Sequence, residues 1–233
     1  FIFRMTTESM ESINAAPLQS RFKVWILQFI LVPRLLWPLT VYEIGLQVVE
    51  KLERQLARYT RKWLGLPPGL TSVALYGRTT KLKLPLRSFT EDFKISKLRT
   101  QMMLDNSTDE RITQVNPTLV SGTKWNAKVE IEKATVSLQW TERTGAVQLG
   151  RHGVGWNHHV WWSKANARER SDLIIQDRRQ AIEGERVVKS LQLSQQGDWI
   201  RWEETVQRSI SWEDIWRYAP LRLAFLIRSM YDQ

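Results

Sequence analysis

Five cations, Lys51, Arg54, Arg58, Arg61 and Lys62, recur at three- and four-residue steps, and side chains so spaced stand on one side of an α-helix. Such a row holds anions rather than transforming them. At about 1.5 Å of rise per residue it extends over roughly 16 Å, enough to meet several phosphates along one wall of a nucleic-acid groove. Glu50 and Glu53 are confined to the first half of the segment, so positive charge accumulates toward its C-terminal end. A solvated face would show the same spacing; the surrounding residues have to decide. Chemistry of other kinds finds little material. His152, His158 and His159 fall in one glycine-rich segment with no serine or cysteine motif beside them, so a nucleophile–base pair is not expected. They lack neighbouring carboxylates, which makes them a poor metal set. Gly153 and Gly155 form a GxG without the preceding strand or following glycine of a dinucleotide loop. No Asp-Asp pair is available to hold two metal ions, and the absence of cysteine excludes disulfides and cysteine-ligated zinc. The sequence therefore predicts no catalytic residue, no metal site and no cofactor in this chain.

The element that must carry the basic row is a helix over 46–64. Leu46, Val49, Leu52, Leu56, Tyr59 and Trp63 make an apolar stripe along its opposite side, and that stripe requires a core. Gly65 supplies the stop, and Pro67-Pro68 prevents resumption. Ahead of it, Pro17 suits a helix start, and Phe22, Trp25, Ile26, Phe29 and Ile30 follow helical spacing, predicting a buried helix. Pro33 and Pro38 predict a turn and a kink, so that three helices with tight joints form a compact subdomain. The run 24–42 is long enough to span a bilayer. Arg34 near its middle would cost about 2.5–3.5 kcal/mol there, and buried helices explain the run better. Residues 1–15 show no firm period, and the acidic residues among the first twenty do not make a signal peptide.

Downstream, residues 81–84 alternate in the manner of a short strand. Ser88 and Glu91 have capping-box spacing before a helix with Phe93, Leu98 and Met102 that ends near Asp105. Residues 106–122, rich in turn formers, predict a linker. Thr123 is expected to cap a helix with Trp125, Val129, Ala134 and Val136, ending near Gly145. Ser163 is expected to cap a long helix whose seam repeats every seven residues through Ile174, Ala181 and Val188, beside Ile175, Ile182 and Leu191. Gly197 would end it, with Trp199 and Trp202 beyond. Ser211 and Asp214 form a capping-box variant, and Pro220 opens a last helix with Leu223, Phe225, Leu226 and Ile227. The predicted fold class is mainly α: an unassigned 1–19, a helical subdomain at 20–105, a linker at 106–122, and a helical region with irregular loops at 123–233.

Across 233 residues, Lys+Arg number 34 against 24 Asp+Glu, a net +10 that favours a polyanionic partner. The twelve tryptophans are many for this length, and each combines packing area with a stacking surface. A start at Phe1 and an apolar helical pattern close to Gln233 suggest a fragment of a longer protein.

The order RFKVWILQFILVPRLLWPLTVYEI, RKWLGLPPGLTSVALYG and KLKLPLRSFTEDFK resembles the segment after the catalytic palm in reverse transcriptases of animal non-LTR retrotransposons. GTKWNAKVEIEKA and QQGDWIRWEETVQRSISWEDIWRYAPLRLAFLIRSMYD look like the region connecting that thumb to a C-terminal cysteine/histidine knuckle and endonuclease. Together these patches cover most of 20–232. The resemblance implies a helical thumb that grips an RNA or DNA template–primer, and its pattern covers Arg54, Arg58, Arg61, Lys62 and Trp63, the last more in the core than in contact; Lys51 joins the basic row by its spacing. It implies the remainder of the parent polymerase as a partner and an intracellular setting, cytoplasmic or nuclear. Magnesium would belong only to the palm, whose Tyr-x-Asp-Asp motif this chain lacks, as it lacks the knuckle. Two other readings of the same residues are a domesticated or remnant helical module, structural or protein-binding, using the long helix around 174–191 and, behind it, a membrane-associated protein through 24–42.

Overall fold

The computed structural model describes residues 2–78, 81–149, 162–194, 204 and 206–231, and side chains within these except at 144–149. The fold is mainly α. The three histidines, the GxG, Gly197, Trp199 and Trp202 lie outside the described residues.

Two units divide the chain, Phe1–Tyr42 with Gln47–Asp92 and Ile182–Gln233, and Glu43–Leu46 with Phe93–Ala181. The first opens with α1 (Ile2–Ala15), a helix where the sequence showed no period. Then α2 (Ser20–Ile26), a π turn (Leu27–Leu31) and α3 (Val32–Val41) run on as one helix where a turn was expected at Pro33. Pro33 has no N–H to give, and its ring would press on the carbonyl four residues back. That carbonyl, of Phe29, lies in the wider π turn, and this accommodates the ring. The helix also continues past Pro38, whose carbonyl accepts from Tyr42 N–H at 2.9 Å.

By length and composition Ser20–Val41 is long and apolar enough to cross a membrane. Within this unit its buried side chains include Val24, Leu27, Leu31, Leu35 and Leu39. Phe22, Trp25, Phe29 and Ile30, expected inside, are exposed. The helix is apolar on more than one side, so its pattern could not say which side faces the core.

α4 (Leu46–Trp63) buries Val49, Leu52, Leu56 and Trp63, as its stripe predicts. It closes on Gly65 at φ 66°, with Leu66 N–H donating to Arg61 O at 2.9 Å and Gly65 N–H to Lys62 O at 3.3 Å. This double closure needs a left-handed residue, which explains the glycine. After α5 (Ser72–Tyr76) comes β1 (Leu82–Lys83), paired in parallel with β2 (Arg208–Ser209), Leu82 opposite Arg208. α10 (Trp212–Arg217) begins with a full reciprocal cap: Asp214 N–H donates to Ser211 Oγ at 3.1 Å, and Ser211 N–H to Asp214 Oδ2 at 2.9 Å. That backbone donor holds the Asp214 carboxyl below its ordinary pKa. α11 (Pro220–Arg228) starts at the expected proline and buries Leu223 and Ile227.

In the second unit, α6 (Phe89–Asp105), α8 (Ala127–Leu149) and α9 (Ala167–Leu191) contribute Ile95, Leu98, Met102, Ala134, Leu138, Ile174 and Ile175 to one cluster, with Trp125 and Trp162 against it. Both long helices start three residues later than predicted. Asn126 and Asn166 cap them, accepting from Lys128 N–H at 2.8 Å and Glu169 N–H at 3.0 Å. Arg178 bridges Glu130 at 3.0 Å and Asp177. Burial alone would raise the Glu130 carboxyl, but hydrogen bonds from Lys133 and Arg178 bring it below its ordinary value.

The stretch 106–122 belongs to this second unit and does not join the two. It contains α7 (Glu110–Val115), and the Gln101 side chain fixes the backbone beyond that helix, donating to Pro117 O at 3.1 Å and accepting from Leu119 N–H at 2.8 Å. Ser121 is buried, and its carbonyl accepts from Leu46 N–H at 3.1 Å. Turn-forming composition marks irregular backbone, and here side chains tie that backbone down. Gly122 sits at φ 80°, where a Cβ would stand 3.2 Å from Gly45 Cα. Gly122→Ala is therefore expected to destabilise the protein by about 1–2 kcal/mol through left-handed strain and the close backbone. Urea unfolding would measure it, and an unchanged midpoint would mean this turn relaxes freely.

Candidate nucleic-acid interface

The basic row is positioned by what lies on the other side of α4. With Val49, Leu52, Leu56 and Trp63 buried, the helix cannot rotate, and Lys51, Arg54, Arg58 and Lys62 face solvent. Arg54 Nε approaches Glu50 O at 3.4 Å, and the Arg58 guanidinium lies 5.5 Å from the centre of the adjoining Tyr59 ring. Among the described residues none of the four is held in an ion pair. Arg61 does not share this disposition. It is half-buried, its Nε donates to Leu70 O at 2.8 Å, and burial lowers its pKa while the neighbouring Tyr76 partly restores it. Arg61 thus ties the turn after Gly65 to the end of α4.

Of the two carboxylates in α4's first half, Glu53 is more than a surface charge. Glu53 accepts from Ser88 Oγ at 2.5 Å and Thr90 Oγ1 at 2.7 Å, with Thr90 N–H at 3.4 Å. It serves as an anionic cap for the start of α6, favoured by the helix dipole. Ser88 in turn accepts from Glu91 N–H at 3.2 Å, so half of the predicted capping box forms.

The Glu91 carboxylate is used elsewhere. Only 3% of its side chain is exposed, Arg78 Nη2 lies 2.9 Å from one oxygen, and Arg186 Nη1 makes a 2.8 Å ion pair with the other. Arg186 also reaches Glu183 at 3.1 Å and donates to Tyr76 O at 3.2 Å, while Glu183 accepts from Arg78 N–H at 2.5 Å. Burial and the Glu53 charge push the Tyr76 hydroxyl far above its ordinary pKa. This network breaks the expected seam of α9: Ala181 and Val188 are exposed, and Glu183 and Ser190 are buried instead. Sequence spacing gave no sign of it, because paired charges have no period. The nearest signal was Glu91 in a capping box, which pointed to the wrong partner.

Among the described residues, no three histidines, aspartates or glutamates are placed to hold a metal. Fold and site together define a mainly helical, basic protein with a rigidly mounted cationic row. No protein-family model matches this chain, and neither a curated protein nor a solved structure matches it.

Proposed function

We propose that this chain is a noncatalytic part of a reverse transcriptase of the animal non-LTR type, and that it grips the template–primer through Lys51, Arg54, Arg58 and Lys62. One observation carries the reading: four exposed cations in a row on a helix whose other side is buried at Leu46, Val49, Leu52, Leu56 and Trp63. A row so mounted loses little freedom when it meets phosphates, and each neutralised phosphate releases condensed counterions. Recognition would go to the backbone rather than to base edges, so affinity is independent of sequence and falls with salt. The net charge of +10 acts in the same direction. Arg61 takes the part of a brace, since its half-buried guanidinium fixes the turn that ends the row.

The test is the double replacement Arg54→Ala with Arg58→Ala. Both positions are exposed, so each substitution should change stability by no more than about 0.5 kcal/mol. Affinity for RNA–DNA duplexes of any sequence should drop alike, and the slope of log affinity against log salt should flatten by about 1–2. A folded double variant with the parent's affinity and slope would leave this row as a solvated face.

A further inference from the structure

Phe22, Trp25, Phe29 and Trp37 stand 38–69% exposed along the outward side of the helix Ser20–Val41. Two half-buried tryptophans of α10 adjoin them. Ring centres lie 4.8 Å apart for Phe22 and Trp216, 5.2 Å for Phe29 and Trp212, and 5.4 Å for Trp25 and Phe29. The planes are inclined at 34–59°, so the rings meet without stacking flat on one another. Guanidinium groups sit among them. Arg21 lies 5.9 Å from the centre of Phe22 and 6.0 Å from that of Trp216, and it donates to Trp216 O. Arg217 and Arg222 flank Tyr218 at 5.8 and 4.9 Å, and Arg34 is exposed one turn from Trp37. Of the nearby carboxylates, Asp214 is engaged by Ser211 and Arg217, which leaves Glu213 facing solvent.

We propose that this aromatic face binds single-stranded nucleic acid, with bases stacked on the rings and phosphates held by the arginines. Every base offers a π-face, so such a platform is indifferent to sequence, and each stacked base contributes roughly five- to 150-fold in affinity. From Phe22 to Trp37 the row extends about 22 Å, room for roughly six nucleotides at stacked spacing. Arg34, exposed one turn from Trp37, argues against lipid, where an immersed charge is costly, and in favour of phosphate. A second copy of the chain is disfavoured because it would bring the arginines of both copies together. The inference rests on the reading that the ligand is a nucleic acid. It is separate from the row on α4.

The experiment compares binding of the full chain to an oligo(dT) 12-mer and to an abasic 12-mer of the same backbone, at one salt concentration. The oligo(dT) should bind at least about tenfold more tightly. Trp37→Ala, at a position 69% exposed, should remain folded, lose at least about fivefold in oligo(dT) affinity, and leave abasic binding unchanged. Trp37→Phe should retain most of the affinity, and Arg34→Ala should weaken both ligands alike. Equal binding of the two oligonucleotides, an unaffected Trp37→Ala, or a Trp37-dependent association with phosphatidylserine vesicles that exceeds oligo(dT) binding would each overturn the proposal. The Arg54 and Arg58 double variant separates the two readings. It should alter the duplex salt slope while keeping the ratio of oligo(dT) to abasic affinity, so failure of one leaves the other standing.

Discussion

Leu52→Ala is expected to lower the free energy of unfolding by about 2–5 kcal/mol, the range for truncating a large aliphatic side chain in a packed interior. Leu52 has no exposed surface and lies midway along the buried stripe of α4, one turn from both Val49 and Leu56, which are buried as well. The loss has two parts, the transfer free energy of the deleted methyl and methylene groups and the cavity left behind, which the surrounding structure fills only in part. Urea denaturation should show a lower midpoint with little change in slope. Leu221→Ala serves as the control: that side chain is 84% exposed, and the same chemical change there should stay within about 0.5 kcal/mol. If the two substitutions cost the same, α4 does not present this side to the core, and the orientation of the basic row is lost with it.

Glu91→Ala should cost a comparable amount, about 3–5 kcal/mol, because it breaks a buried ion pair by removing one partner. Arg186 would keep Glu183 at 3.1 Å but lose the carboxylate oxygen at 2.8 Å, and its side chain is only 13% exposed. A guanidinium left short of acceptors in low dielectric carries most of the penalty. Arg78 adds little, since 38% of its side chain is exposed and solvent screens it. Glu91→Gln separates charge from shape: it preserves volume and one carbonyl acceptor, and should fall between the parent and the alanine variant. A loss under about 1 kcal/mol for Glu91→Ala would mean that water enters this network, and it would then count as a surface pair.

Much of the fold could be read from residue order. The stripe of α4, the stop at Gly65, the cap at Ser211 and Asp214, and the helix start at Pro220 all rest on local chemistry: a 3.6-residue period, a left-handed stop, a side chain returning to its own backbone, and a fixed φ. The structure bears out each of them. The exposure of Lys51, Arg54, Arg58 and Lys62 belongs with them, because it results from burial of the opposite side.

What the sequence could not determine depends on partners distant in the chain. The helix Ser20–Val41 is apolar around much of its circumference, so only packing decided that Leu27 and Leu35 go inside while Trp25 and Phe29 stay out. Arg61 has the same spacing as its neighbours, but the carbonyl of Leu70 across the turn claims it. Ala181 and Val188 continue a heptad and are nevertheless exposed, because Glu91 and Arg78 hold Glu183 and Arg186 in the interior. In 106–122 the turn formers were legible, but not the Gln101 side chain that pins them. Period and capping are properties of a few consecutive residues and fix local conformation. The choice of inward face and the pairing of buried charges are made only when remote segments compete for the same interior volume and the same hydrogen-bonding groups.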